Sequence, residues 1–250
     1  MEAQELDDGL ALSEDLVKSP THKAATTNSL NFDGLLDPPL LLHEDLREGN
    51  GGQAWPAGMI LAKYMLRRKQ NELNEASVWS WEREVDCVGR RAREQFLCAA
   101  HTEQWHFSHR LALAIGCRPD SVVHITDQTA MQALMQQNIR LNALEGRVVA
   151  SVYDWGKARP ETVPQFPSII LAADCVYWEP AFPWLQQTLQ DLIGPETTCY
   201  FCFKRRRRAD MNFMKAVKKV LLVEDITDDP DHEAYARENI FLCTIRQKKK

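Results

Sequence analysis

Three positions in this 250-residue chain place a residue capable of chemistry where an apolar run stops. Asp127 closes Ser-Val-Val-His-Ile-Thr-Asp (121–127). A carboxylate at the end of a buried strand can accept two hydrogen bonds from the vicinal hydroxyls of a ribose, or it can cap the helix that follows. Trp155 follows the next apolar run in Tyr-Asp-Trp-Gly. Its indole can cover one face of an adenine, or simply fill core. Ala173-Asp174-Cys175-Val176-Tyr177 ends a third run. The small Ala173 lets a ligand approach closely, and Asp174 can hold an incoming amine or serve as a cap. Each signal has two readings when taken singly.

The elements around these residues supply a frame. Apolar runs at 121–127, 147–155, 167–178, 197–204, 221–226 and 239–247 read as strands. Between them, 131–142, 181–193 and 209–220 carry apolar residues at helical spacing. Strands without polar alternation are buried on both faces, and strand–helix alternation gives a mainly parallel, doubly wound α/β sheet. Ligands of such sheets bind beyond the carboxyl ends of the strands, where the three residues above lie. Upstream, Gly51-Gly52-Gln53-Ala54-Trp55-Pro56-Ala57-Gly58 marks a loop, with Pro56 suited to the first turn of a helix ending in Arg67, Arg68 and Lys69. Residues 35–46 hold an apolar stretch broken by Pro38 and Pro39, which suits an edge strand or docking segment. Residues 1–30 read as a disordered tail, leaving 31–250 as one catalytic-size domain.

Composition narrows the classes. A net charge of −5 argues against a surface built wholly for nucleic acid. No stretch approaches the roughly twenty apolar residues needed to cross a bilayer, and the acidic start, Met-Glu-Ala-Gln-Glu-Leu-Asp-Asp, does not read as a secretory or mitochondrial leader. Seven scattered cysteines fit reduced thiols in the cytoplasm or nucleus. Cys87, Cys98, His101, His106 and His109 match no paired zinc spacing. Cys199 and Cys202, three apart on a strand, point to opposite faces and read as core thiols rather than a redox pair. The run Lys204-Arg205-Arg206-Arg207-Arg208 reads as a solvated loop or as a contact for an acidic patch on a protein substrate; RNA binding is a third reading.

Taken together, Gly51–Gly58, Thr126-Asp127, Asn138 with Asn142, Asp154-Trp155-Gly156 and Leu171–Tyr177 occur in an order that resembles the lysine methyltransferase group of the seven-strand methyltransferases. The likeness is nearest to its fungal branch acting on translation elongation factor 1-alpha, and it covers roughly 35–78 and 111–247. It implies a Rossmann-like seven-stranded sheet, S-adenosylmethionine as cofactor, and a protein substrate, expected to be elongation factor 1-alpha, met in the cytoplasm by a monomer. It further implies that Trp55, Asp127, Trp155 and Ala173 line the cofactor site. Asp174 and Tyr177, as Asp-x-x-Tyr, would face the target lysine as catalytic residues. No metal is implied.

One segment departs from the pattern. Such folds need a glycine-rich turn after the first strand, yet Gly89 is the only glycine between 59 and 115. Trp79 to Asp86 can be encoded TGG TCN TGG GAR CGN GAR GTN GAY, and the same bases read two positions later permit Val-[Leu/Met/Val]-Gly-[Ala/Thr]-Gly-[Gly/Ser]-Gly. Residues 79–110 are therefore expected to reflect a shifted frame or retained intron, restored by about Arg110, and to fail as a first strand and turn. Two other functions stay open at this stage: a binding module with the same fold and no working cofactor loop, and a nucleic-acid methyltransferase using 204–208.

Overall fold

A computed structural model describes residues 25–45, 55–70, 95–98 and 122–249, with 95–98 given through the backbone alone. Nine strands and five α-helices are seen in these segments. The strands are β1 (Thr26–Leu30), β2 (Leu40–Glu44), β3 (Gln95–Cys98), β4 (Val122–Asp127), β5 (Val148–Val152), β6 (Ile169–Ala173), β7 (Thr198–Lys204), β8 (Leu221–Asp225) and β9 (Ile240–Gln247). The helices are α1 (Pro56–Arg68), α2 (Gln132–Leu141), α3 (Phe182–Leu192), α4 (Arg208–Val220) and α5 (His232–Arg237).

Seven strands form one sheet in the order β5-β4-β3-β6-β7-β9-β8. All neighbours from β5 to β7 pair in parallel, and β9 runs antiparallel to both β7 and β8. The chain lays β4 and β5 on one side of β3 and then crosses to place β6 on the other. That reversal makes the β3–β6 boundary the switch point, where an open sheet leaves a crevice beyond its strand ends. The expected doubly wound α/β sheet is observed. Contrary to the expectation that 79–110 fails as a first strand, the backbone of β3 pairs in parallel with both β4 and β6 at the centre of the sheet; the turn after it lies outside the described residues.

Two apolar layers sandwich the sheet, and the alternation along each strand decides which residue joins which. Ile169, Leu171 and Ala173 of β6, with Tyr200 and Cys202 of β7, pack with Leu61, Met65 and other residues of α1. Ile170, Ala172, Cys199, Phe201 and Phe203 face the opposite way, against Leu185 and Leu189 of α3 and Phe213 and Val217 of α4. Cys199 and Cys202 thus lie on opposite faces, as their spacing requires. Both are buried thiols outside any disulfide. Phe201 stacks on Phe213 with ring centroids 6.3 Å apart, and truncating such a ring costs about 3–5 kcal/mol.

Helix α1 begins as expected: Trp55 is the extended N-cap residue and Pro56 occupies the first turn. At its other end, Arg67 reaches Asp229 at 3.2 Å and Asp231 at 3.0 Å, tying the helix to the loop before α5. Residues 1–30 do not all behave as the anticipated tail. Thr26–Leu30 pairs antiparallel with β2, Leu30 opposite Leu40, while 1–24 lie outside the described residues. TTNSL carries little apolar signal, and its strand exists because β2 offers an edge.

That two-stranded sheet is held to α2 by the Asn138/Asn142 pair. Asn138 Oδ1 accepts from His43 N at 2.7 Å, and its Nδ2 donates to His43 O at 3.0 Å. Asn142 repeats the exchange with Leu41, at 2.8 and 2.7 Å. Residues i and i+4 of a helix rise about 6 Å, close to the rise of i and i+2 on a strand, so two carboxamides can mimic a neighbouring strand. Four residues is the spacing this clamp needs.

Candidate active site

Strand register places the predicted residues without reference to any ligand. Cys98 lies opposite Ile125 of β4 on one side and Leu171 of β6 on the other. Asp127 and Ala173 each stand two residues further on, so they reach the same height at the carboxyl edge. Two interstrand spacings, about 10 Å, separate them, with the exit of β3 between. Period-2 alternation puts Asp127 on the face of Ile125, and Ala173 on that of Leu171, which is the α1 face. Trp55, half-buried at the start of α1, stands at the same edge. Trp55, Asp127 and Ala173 are therefore brought to one face and one edge of the sheet.

Asp127 is fully buried, and its Oδ1 accepts the Gln128 N–H at 2.7 Å. The N-cap position of the 3-10 turn Thr129–Met131 falls on Gln128 rather than on Asp127. Ala173 is buried and presents only a methyl group at the switch point.

Asp174 is the most constrained of the predicted residues. Its φ of 54° lies in the left-handed region, which a residue with a side chain enters at a cost of about 1 kcal/mol. Its N–H donates to Cys202 O at 2.7 Å, and its Oδ1 accepts from Lys204 N at 3.3 Å. The turn brings the carboxylate onto the end of β7, where Arg206 Nη1 and Nη2 donate to Oδ1 and Oδ2, both at 2.9 Å. The same guanidinium lies 5.6 Å from the Trp55 ring centre. Donating to the Asp174 carboxylate raises the Arg206 pKa above its ordinary value, against the opposing effect of burial. Trp55, Arg206 and Asp174 thus form one contiguous group.

Sequence reasoning left Arg206 inside a basic run. The signal that finds it is strand adjacency: β6 and β7 pair with Ala173 opposite Cys202, so residues following each strand become neighbours. Arg205 and Arg207 of the run are also engaged. Arg205 donates to Asn239 Oδ1. Arg207 donates to the Tyr177 carbonyl and reaches Asp210. Asp210, fully buried, accepts the N–H groups of Arg206 and Arg207 at 2.8 Å each and fixes the start of α4.

Trp155 and Tyr177 belong to the other face. Trp155 is buried with Tyr153, Val163 and the α3 residues, and Tyr177 packs against the same cluster half-buried. Gly156 seals the Asp154-Trp155-Gly156 turn to α3. Its φ is 71°, its N–H donates to Thr188 Oγ1 at 3.0 Å, and an added Cβ would meet Trp184 at 3.0 Å. Trp155 is held in the core of the opposite face, whereas Tyr177 stays beside the site through the bond from Arg207 to its carbonyl. Of the metal set weighed in the sequence, Cys98 is described by its backbone alone, and Cys87, His101, His106 and His109 lie outside the described residues.

The donor chemistry of this edge fits a ribose-bearing ligand: a buried carboxylate to accept hydroxyls, a wall reduced to one methyl group, and an indole at the border. A second carboxylate, held by a cation, follows immediately after the wall.

Similarity to known proteins agrees with this geometry. Residues 110–220 match the family model described as lysine methyltransferase. The chain is 31% identical over 248 residues to protein-lysine N-methyltransferase EFM6 of Saccharomyces cerevisiae, covering 94% of this chain and 96% of that one. It is 28% identical to protein N-lysine methyltransferase METTL21A of Xenopus tropicalis over 51% of this chain and 58% of that one. It is 36% identical to mouse EEF1A lysine methyltransferase 3 over 34% of this chain and 36% of the relative. With the seven-stranded sheet, the aligned strand tips and near full-length kinship, the chain belongs to the protein-lysine methyltransferase family.

Proposed function

We propose that the protein substrate is translation elongation factor 1-alpha, met in the cytoplasm by a monomer of this chain, and that Asp174 and Tyr177 receive the target lysine. In the same reading, Trp55, Asp127 and Ala173 hold S-adenosylmethionine, and Trp155, expected from the sequence to line the same site, backs it from the core of the opposite face. The family reaction is S-adenosylmethionine-dependent methylation of a lysine ε-amine. The bound cofactor supplies a methyl group already activated on a sulfonium.

The chain's own residues have three tasks: alignment, exclusion of water, and delivery of a neutral amine. Asp127 would accept the ribose hydroxyls, and Ala173 would let the nucleoside lie close to the strand end. Trp55 offers an aromatic surface at the border, while Trp155 supports the β5 exit from within the core. A lysine near its reference pKa of about 10.4 arrives charged at pH 7. Asp174 would orient that ammonium through charge-assisted hydrogen bonds. Because a carboxylate stabilises the charged amine, Asp174 works as an aligning group rather than as a strong base, and the proton leaves to water. Tyr177, tethered beside the site through its carbonyl, would help to receive the amine.

The observation that carries this reading is the pair of carboxylates at the strand tips, Asp127 at the end of β4 and Asp174 directly after β6. Mouse EEF1A lysine methyltransferase 3, whose name states its substrate, shares 36% identity over 85 residues, and this supports elongation factor 1-alpha. Among the described residues, no helix is long and apolar enough to cross a membrane. The test is to incubate the full chain with S-adenosylmethionine and recombinant elongation factor 1-alpha, then map modified lysines by mass spectrometry. Methyl groups on one lysine, lost in Asp174→Asn, are the expected result. Methylation of other proteins in a lysate but not of this one would overturn the substrate assignment.

A further inference from the structure

We infer that Arg206 is the resting occupant of the Asp174 carboxylate, sitting where the target ammonium must bind, and that a lysine enters only when this guanidinium swings away. The inference rests on the proposed assignment of Asp174 as the lysine-receiving group.

Counting acceptor sites on Asp174 leads to it. A carboxylate offers about four lone-pair directions. The Arg206 fork takes one on each oxygen at 2.9 Å, and Lys204 N takes a second on Oδ1 at 3.3 Å. The Asp174 side chain is 4% exposed. An ammonium with three donors cannot be oriented by what is left. Guanidinium and ammonium carry the same charge and want the same oxygens, so the two are competitors.

The surroundings allow the exchange to be a side-chain movement alone. The Arg206 backbone is fixed, since its N–H donates to the buried Asp210, whereas its side chain is 30% exposed and open to solvent on one side. The Trp55 ring 5.6 Å away offers the cation a face on which to rest when it leaves the carboxylate. Because Trp55 borders the proposed cofactor edge, one arginine touches both halves of the site. A site that is open only a fraction of the time binds more weakly by that fraction. Arg206 therefore sets the apparent affinity for lysine and favours partners that give its cation somewhere to go, such as an acidic residue near the target.

The experiment compares the full wild-type chain with Arg206→Gln, Arg206→Lys and Asp174→Asn, using n-butylammonium as the lysine side-chain probe in an NMR titration. Arg206→Gln is expected to bind the probe about tenfold more tightly than wild type, and Asp174→Asn not at all. Arg206→Lys, which keeps a charge but loses the fork, falls between; it also serves if the Gln variant does not fold. Equal or weaker binding in a folded Arg206 variant would overturn the inference. With elongation factor 1-alpha, the change appears in KM rather than in kcat. A fall in kcat with unchanged KM would mean a purely structural role. Calorimetry with S-adenosylmethionine on the same samples separates the two ideas: a chain that takes no cofactor sinks the functional reading, while the probe titration still decides on Arg206.

Discussion

Asp127 and Asp174 stand at nearly the same height on the carboxyl edge, two strands apart, and their surroundings diverge at once. Asp127 ends β4 in extended backbone and is fully buried. Beside it, β5 runs out through Val152 into Tyr153, whose N–H donates to the Asp127 carbonyl at 3.0 Å. Asp174 turns out of β6 at a φ of 54° and meets a bidentate guanidinium delivered by β7. The neighbouring strand decides the difference. One carboxylate is placed for neutral hydroxyl donors, the other for a cation. One residue type thus serves two tasks because the sheet gives each copy a different flank.

The sharpest test of this division is to neutralise each acid in turn. Asp174→Asn keeps the shape but loses the charge that orients an ammonium, so methyl transfer should fall about 100-fold. S-adenosylmethionine affinity, measured by calorimetry, should stay within about twofold. Asp127→Asn should do the reverse: cofactor affinity drops about tenfold, the loss of one good hydrogen bond to a charged acceptor, and transfer recovers at saturating cofactor. Swapped phenotypes would dissolve the distinction between the two tips.

A smaller effect reports the backbone at Asp174. Both Asp174→Ala and Asp174→Gly remove the carboxylate and leave Arg206 unpartnered in the same way, so their difference isolates conformation. Glycine enters the left-handed region freely, and Asp174→Gly should be more stable than Asp174→Ala by about 1 kcal/mol in urea titration. Equal stability would mean that the turn relaxes once the ion pair is gone, and that the strain comes from Arg206 rather than from the Ala172–Asp174 exit.

The legibility of the two tips in the sequence was just as uneven. The runs that became β4 to β7 and β9 are apolar on both faces because the sheet is covered on both sides, so they stand out against any background. Asp127 and Asp174 were visible because each interrupts such a run. Strand order was not, and without it nothing places Arg206 beside an acid 32 residues earlier. The strand Thr26–Leu30 was equally hidden: Thr, Thr, Asn and Ser carry no period, and its pairing depends on β2, which α2 holds through Asn138 and Asn142. Helix α5, six residues long, is too short for a 3.6-residue period to register. What the sequence hid were features made by contacts between distant segments; what it showed were features that one segment makes by its own composition.

The smallest expected effect concerns the strand beneath Asp127. His124 faces away from the Asp127 side of β4 and is 7% exposed. Burial lowers its pKa below the ordinary histidine value, partly offset by a hydrogen bond with the Thr162 backbone. In the unfolded chain it titrates near about 6.5. Above that value both states are neutral at this site and its contribution does not vary with pH. As pH falls through about 6.5, the unfolded state takes up a proton that the folded state refuses, so stability declines until the folded pKa is reached. The slope cannot exceed about 1.4 kcal/mol per pH unit for one proton. In urea titrations at pH 7.5 and 5.5, His124→Gln, a neutral side chain that can keep a hydrogen bond to Thr162, should lose less stability on acidification than wild type. An unchanged difference would assign the acid sensitivity to the carboxylates.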